Sequence, residues 1–473
     1  MIFGFSFVES KQDVMNVNAK YHNLGKYLIF FAVAFLLFSQ CKKKTEEVIT
    51  PVIPGPKTYT ANLINPDSLT LKMIYDEDYE ILGEDLIFSY STISDLSYLS
   101  KIKQISGDFI IEYCTEIENF IGLDSLKILN GDVTLSANNK LNSFQGLEQL
   151  QFIRKDLTIT DNPSLVQIVG LENVKEIKQS LIVQFQNGIE DLSGFRNLEK
   201  IGESLILYSN AKINSFEGLD NLHEIQGTIL VSGDNHFKNF IGLSSLESIR
   251  GGLRISNYPE LESFEGLERL KYIFGDLEIT YNSRLKYING LSAIDSLNGR
   301  LIIKGNDSLF QINSFNQLEK VKDELTIESN PQLIQLIAFN NLSFITGRLK
   351  ISDNKSLVSI NDFNSLKVIA GGLSITENMK LQHIYGLSAL STLRGKLFIG
   401  INDKLESLNG LEALIFIDGD MSIKGNNSLT DFCALTNIFE NSGVNGLVDI
   451  SGNAFNPTVE EVLSGNCSVD EKK

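Results

Sequence analysis

The stretch GDLEITYNSRLKYINGLSAIDSLN, Gly275 to Asn298, is one copy of a pattern that returns every 24 residues. With Leu277 as position 1, steps of 24 in both directions land on Phe109, Val133, Leu157, Leu181, Leu205, Ile229, Leu253, Leu301, Leu325, Leu349, Leu373, Leu397 and Met421. Together these mark fourteen units without an insertion or a deletion. Position 3 is Ile, Leu or Val throughout, from Ile111 to Ile423, and positions 9, 12, 15 and 18 are apolar in every unit. Position 21 is apolar in all but the last, where Asn441 stands. A fixed period of this size means a solenoid, because one unit cannot bury its own apolar face and must stack on its neighbours.

Spacing inside the unit decides which solenoid. Positions 1 and 3 flank an outward position 2, as in a strand. That strand returns once per turn in the same direction, so neighbours are parallel and about 4.8 Å apart, and fourteen turns rise about 65 Å. The three-residue spacing from position 9 to 21 suits neither a long helix nor a long strand, and predicts two further short extended segments with corners between them. Glycine recurs at position 14 (Gly122, Gly146, Gly170, Gly194, Gly218, Gly242, Gly266, Gly290, Gly386, Gly410) and at position 23 (Gly227, Gly251, Gly275, Gly299). It supplies the positive φ of a tight bend. Twenty-four residues leave little room for a helix on the back. The expected fold is therefore all-β: one long parallel β-helix of about 14 to 16 coils with a cap at each end.

Position 6 is Asn in Asn138, Asn162, Asn210, Asn282, Asn306, Asn330, Asn354, Asn378, Asn402 and Asn426. An inward Asn after a strand can bond the turn and the next rung, satisfying groups that a bend would orphan. The other reading is a row of cation ligands, but the carboxylates that a calcium site needs do not accompany it.

Units such as LEITYNSRLKYINGLSAIDSLNG and LRISNYPELESFEGLERLKYIFG look like the receptor L-domain repeat. This is the leucine-rich β-helix of the ligand-binding lobes of insulin- and EGF-receptor ectodomains, also found in bacterial surface proteins. The resemblance covers about Ile81 to Ser451. Receptor lobes are shorter and are interrupted by cysteine-rich modules, which are absent here. The resemblance implies a noncatalytic recognition scaffold, and nothing about hormones or kinases carries over.

The ends read differently. Tyr27 to Phe38 (YLIFFAVAFLLF) is an apolar run preceded by Lys20 and Lys26. It is too short to span a bilayer comfortably and matches a signal-peptide core. Ser39-Gln40-Cys41 follows, resembling a bacterial lipoprotein signal in which Cys41 becomes the lipidated first residue. Ordinary secretion or an uncleaved anchor is the alternative, and both Met1 and Met15 are candidate starts. The expected organisation is a signal peptide over 1–40, lipidated Cys41 and a flexible tether over 41–60, a cap with an imperfect coil over 61–108, in which Leu63 to Tyr75 reads as an alternating apolar run out of frame, the array over 109–444, and a C-terminal cap over 445–473. The tether (KKKTEEVITPVIPGP in its core) cannot bury enough to order itself, and acyl chains would hold it at about 0.8 kcal/mol per buried CH₂.

In the C-terminal cap, Pro457 to Leu463 reads as a short helix with proline in its first turn. Cys433 and Cys467 are expected to pair in an exported chain, closing a loop worth roughly 3 to 4 kcal/mol in the chain-entropy model. Two buried free thiols are the alternative. Cys114 occupies the Asn position of the first full unit and reads as a small core residue.

Candidate binding residues come from the outward positions. Ile182, Phe185, Ile206, Tyr208 and Leu230 fall on three consecutive coils of one face. Such a cluster marks an interaction site, although β-branched residues also simply suit a sheet surface. No metal-ligand spacing appears: His22, His223, His236 and His383 take different repeat positions, and no GxSxG, P-loop or CxxC is present. No cofactor is implied. Glu278, Lys304, Glu328 and Lys350 lie on neighbouring rungs, where a polysaccharide-cleaving β-helix would carry catalytic groups, and where cross-strand ion pairs serve equally well. A net charge of −18 repels phosphate backbones and argues against nucleic acid. It also keeps a long rod soluble, as a monomer. The sequence thus points to a noncatalytic cell-envelope protein, touching the membrane only through its lipid and presenting its repeats to a protein or glycan partner. A polysaccharide-acting enzyme and a mechanical spacer are the rival readings, and zero Trp removes the commonest sugar-stacking side chain.

Overall fold

Leu277–Thr280 pairs in parallel with Leu253–Ser256 on one side and with Leu301–Lys304 on the other, each residue opposite its counterpart 24 positions away. Leu277 and Ile279 are buried and Glu278 turns outward, so the alternation at positions 1 to 3 is the pleat itself. The computed structural model describes residues 55–233 and 236–469. In it this pairing repeats from Leu63–Ile64 to Val448–Ser451, making one parallel sheet of 17 strands whose order follows the chain. A second sheet of 16 two-residue strands runs from Thr58–Tyr59 to Phe416–Ile417, built from positions 20 and 21. The chain is an all-β parallel solenoid of about 16 turns.

The third predicted segment is only partly a strand. Positions 11 and 12 pair as strands in Tyr287–Ile288, Gln311–Ile312 and Gln335–Leu336 alone, with single bridges at Ser359 to His383 and Ser407 to Asp431. Elsewhere the same apolar residues sit on turns and still point inward, because burial at position 12 needs only one inward side chain per coil. Phenylalanines stack along this interior, Phe120 on Phe144 at 6.0 Å and Phe315, Phe339 and Phe363 at 5.5 and 5.2 Å. Each fully buried large side chain is worth about 1.5–3 kcal/mol.

The sharpest corner lies where the sequence marks none. Position 5 has positive φ in every unit, from Tyr113 (52°) through Asp161 (51°) and Tyr281 (58°) to Gly425 (68°). Most of these residues are not glycine, and a left-handed residue costs roughly 1–2 kcal/mol. The Asn that follows offsets this cost. Asn330 donates from Nδ2 to the Ile303 and Glu328 carbonyls at 3.1 and 3.0 Å, and its Oδ1 accepts the Asn306 backbone N–H at 3.1 Å. The same bonds link each rung from Asn282 to Asn426, and Asn453 extends the ladder beyond the last unit. Asn138 and Asn162 form a separate segment, and Asn210 accepts from the backbone of Gln186, which replaces Asn in its coil. Cys114 is a free, buried thiol at the foot of this column, its N–H bonded to Asn138 Oδ1 at 3.0 Å.

Glycine acts differently at its two positions. Position 14 takes positive φ in Gly122, Gly146, Gly170 and Gly410, among others, but not in Gly194 or Gly386, where a 3-10 turn replaces the left-handed corner. The position 23 glycines have no positive φ, which corrects the expectation. They are needed for close stacking, since a Cβ on Gly251 would lie 2.6 Å from the Gly227 carbonyl. A second ladder, unforeseen, runs along position 24. Asp108, Asp132 and Asp156 each accept the backbone N–H of the next rung at 2.8, 3.2 and 2.7 Å, and Asp276 and Asp420 do the same further on.

The ends differ from expectation in three ways. Among the described residues, Thr58–Tyr59 of the predicted tether forms a strand, because it pairs with Ile81–Leu82. Leu63 to Tyr75 is not alternating strand throughout: after Leu63–Ile64 the chain forms helix α1 (Ser68–Asp76), with Asp67 capping Thr70 N–H at 2.8 Å and Leu71 and Ile74 buried. Apolar period was misread there, since Leu71 and Ile74 are three apart as a helix face requires. Position 21 fails at Asn441 because helix α2 (Thr436–Glu440) replaces the usual turn. Helix α3 (Val459–Leu463) starts later than expected, with Pro457 ahead of it and Thr458 as N-cap in a capping box with Glu461. Cys433 and Cys467 form a disulfide across this end. The predicted signal peptide, the start at Met1 or Met15, His22 and Cys41 lie outside the described residues.

Candidate ligand-binding face

Outward positions of the 17-stranded sheet make columns, since each side chain sits beside its counterpart one coil away. Ile182, Ile206 and Leu230 are direct lateral neighbours. Leu230 then meets Arg254, and Arg254 meets Glu278. Tyr208 stands two residues along, between Gln184 and Ser232. Phe185 belongs to the left-handed corner, φ 54°, which swings its ring against Tyr208, edge to face at 5.2 Å. The five predicted residues therefore form one patch.

The structure adds what the sequence reading lacked. A shallow groove of about 390 Å³ opens beside the patch. Ile206 and Leu230 form its floor, Gly252 leaves space where its neighbours carry side chains, and Arg254, Asp276 and Glu278 make the wall. Arg254 pairs with Glu278 at 2.9 Å, and Arg300 bridges Glu278 at 3.2 Å and Asp276 at 2.6 Å. Hydrogen bonding from Arg300 holds the Asp276 carboxyl below its usual range. Two guanidinium groups thus balance two carboxylates. Chemically the groove offers an apolar floor with fixed donors and acceptors on one side, the arrangement of a binding pocket. Its signal in the sequence was Gly252-Leu253-Arg254, where the apolar column stops and a side chain is missing.

Of the four charged residues weighed for catalysis, Glu278 belongs to the groove wall with Arg254 and Arg300, and the other three form an ion-pair ladder. Glu328 lies between Lys304 at 2.9 Å and Lys350 at 2.5 Å. Burial pushes the Glu328 carboxyl up, but bonds from Lys350 and Lys304 outweigh it and leave the group below its ordinary value. A general acid wants the opposite shift, toward neutrality. Among the described residues no group of three His, Cys, Asp or Glu side chains could hold a metal ion.

One carboxyl outside the groove is shifted toward neutrality. Burial pushes Asp362 up from 3.8 to about 6, although the Ala338 and Asn361 backbones donate to it. Its protonated form is the one the fold favours. This contribution is complete below the ordinary carboxylate pKa and is lost as pH rises through about 6. Between pH 4 and pH 7 the protein is expected to lose on the order of 2 kcal/mol from this group. Asp362→Asn should flatten that part of the profile in urea titrations at each pH; parallel profiles would show that Asp362 titrates normally.

Comparison with known proteins gives the following matches. The family model described as Receptor L domain matches residues 271–388 and 319–411. Among solved structures, a chain of the mouse RP105/MD-1 complex is 18% identical, covering 79% of this chain and 68% of its own, with a TM-score of 0.28. A leucine-rich repeat protein of Leptospira interrogans is 15% identical over 88% of this chain and 99% of its own, TM-score 0.29. One from Bacteroides ovatus is 15% identical over 63% and 82%, TM-score 0.24. No curated protein matches. The family match thus spans residues 271–411, within the array of 24-residue coils.

Proposed function

We propose that this chain is a noncatalytic recognition protein of the cell envelope, exported and lipid-anchored through Cys41, which binds a protein or glycan partner on the outward face of its long-strand sheet. The observation that carries the reading is the column Ile182, Ile206, Leu230 running into the groove walled by Arg254 and Glu278. An uninterrupted solvated face would suit a spacer, and this one is interrupted. The ion-paired state of Glu328 speaks against the hydrolytic reading. Receptor L-domain repeats serve ligand binding elsewhere, which supports a binding role here.

The test is a panel of envelope proteins and glycans probed with wild type and with Ile206→Lys. A buried lysine at the groove floor should weaken the selected partner at least tenfold, about 1.4 kcal/mol or more, without changing the melting curve. Undiminished binding by Ile206→Lys would remove the groove from the reading.

A further inference from the structure

A second face carries an unassigned surface. In the coils starting at Leu277, Leu301, Leu325, Leu349 and Leu373, positions 8, 10, 11 and 13 hold no Asp or Glu at all, on a chain of net charge −18. The coil before has Glu260, Glu262 and Glu265 at these positions, and the coil after has Glu406. Within the acid-free region Phe310, Ile334 and Val358 stand in one column, their backbones laddered by Ile334 N–H to the Phe310 carbonyl at 3.1 Å and Val358 N–H to Ile334 at 3.3 Å. Tyr287, Ile337 and Tyr385 flank them. All six are 36% to 47% exposed, and Tyr287 leans edge-on against Phe310 at 6.3 Å. This is also where the coils form their third strand, which flattens the surface. Cations mark both ends of the strip, Lys286 at one, next to an Arg284 that pairs with Glu260 at 3.6 Å, and Lys380 at the other. The nearest acids are Glu260 and Glu262 on the coil just outside the strip, Glu262 sharing a groove with Arg284 and Lys286, while Asp307 and Asp362 fall at positions 7 and 14, on the corners.

We infer that this strip is a docking surface for an acidic protein segment, an extended chain with apolar side chains at its centre and carboxylates around them. An apolar centre depleted of charge inside a polar rim is the composition of a protein interface. Charge selects the occupant. The rest of the molecule repels an acidic partner, while this strip lacks the carboxylates that would do so and supplies cations at its ends. A second copy of the chain does not fit. Face to face, parallel copies set Arg284 and Lys286 against themselves, and antiparallel copies set them against Lys380, so either way like charges meet.

The test uses the whole chain and two synthetic peptides with the same alternating Leu and Phe positions, one with Glu between them and the other with Lys. Vesicles of phosphatidylcholine with and without phosphatidylglycerol form the other arm. The Glu peptide should bind at least tenfold tighter than the Lys peptide. Phe310→Glu should weaken it at least tenfold, and Arg284→Glu with Lys286→Glu should reverse the preference, while Ile206→Lys in the groove leaves both unchanged. That last variant separates this surface from the groove. Equal binding of the two peptides, binding of neither, indifference to Phe310→Glu, or binding to the anionic vesicles in place of the Glu peptide would each overturn the inference.

Discussion

Replacing Asn330 by Leu is expected to destabilise the central coils by about 3–5 kcal/mol, although leucine is apolar and has the same branched shape. Asn330 is fully buried and sits in the middle of the ladder. Its Oδ1 accepts both the backbone N–H and the side-chain Nδ2 of Asn306, at 3.1 and 3.2 Å, and its own amide reaches Ile303, Glu328 and Asn354. Leucine leaves the Asn306 donors and the Ile303 carbonyl without these partners in an interior from which water is excluded. Each such group costs about 1–3 kcal/mol. Asn453 provides the contrast. It makes the same bonds, to the Asn426 backbone and side-chain N–H groups and the Ile423 carbonyl, but it ends the ladder and is 9% exposed, so Asn453→Leu should cost somewhat less. Urea unfolding compares the two, and amide exchange at Asn306 locates the damage, since in a repeat protein a weakened coil opens with its neighbours. If Asn330→Leu costs less than about 1 kcal/mol and Asn306 stays protected, the ladder does not hold the coils together.

The second large effect belongs to a methyl group. Gly146→Ala is expected to cost about 3 kcal/mol or more, because two penalties fall on one atom. Gly146 has φ 101°, beyond the left-handed region that other residues tolerate, and strain there costs about 1–3 kcal/mol. A Cβ would also stand 2.1 Å from the Phe120 carbonyl oxygen one coil back, and backbone cannot step aside without shifting a rung, a further 1–3 kcal/mol or so. Gly425→Ala is the control. It lies at position 5 with φ 68° and nothing within 3.5 Å of the new atom, and Ala137 already occupies the equivalent corner at 54°. That substitution should change stability by less than about 1 kcal/mol. Equal losses in thermal melts of the two variants would mean that φ and rung contact at Gly146 do not limit the corner.

These substitutions separate what could be read from the chain from what could not. Position 14 was legible because glycine stands there so often. Even so, several coils make the corner another way: with Ser314 and Ala338 at position 14 the left-handed residue moves on to Phe315 (64°) and Phe339 (62°), and the coils with Gly194, Asp362, Gly386 and Ala434 have no left-handed residue there. The corner at position 5 was illegible because Tyr113, Ala137, Asp161 and Ile401 share a backbone angle and no chemistry. Helix α1 was missed because so few turns of helix look like a short alternating run until Leu71 and Ile74 are seen on one side. The patch at Ile206 was legible as a column of outward apolar residues. Its groove was not, since it depends on an absent side chain at Gly252. The strip at Phe310 and Ile334 was overlooked because only positions 2 and 4 had been counted as outward.

Stacking, register and the inward column of asparagines were determined by the sequence alone. An unbroken 24-residue spacing leaves one way to bury positions 1, 3, 9, 12, 15 and 18 together, and any slip would expose them all. Only the tertiary structure decided which outward residues meet. Arg254 and Glu278 are 24 residues apart along the chain and 2.9 Å apart in space. Whether such a pair neutralises itself or stays open to a partner depends on corner angles and on neighbours from other coils.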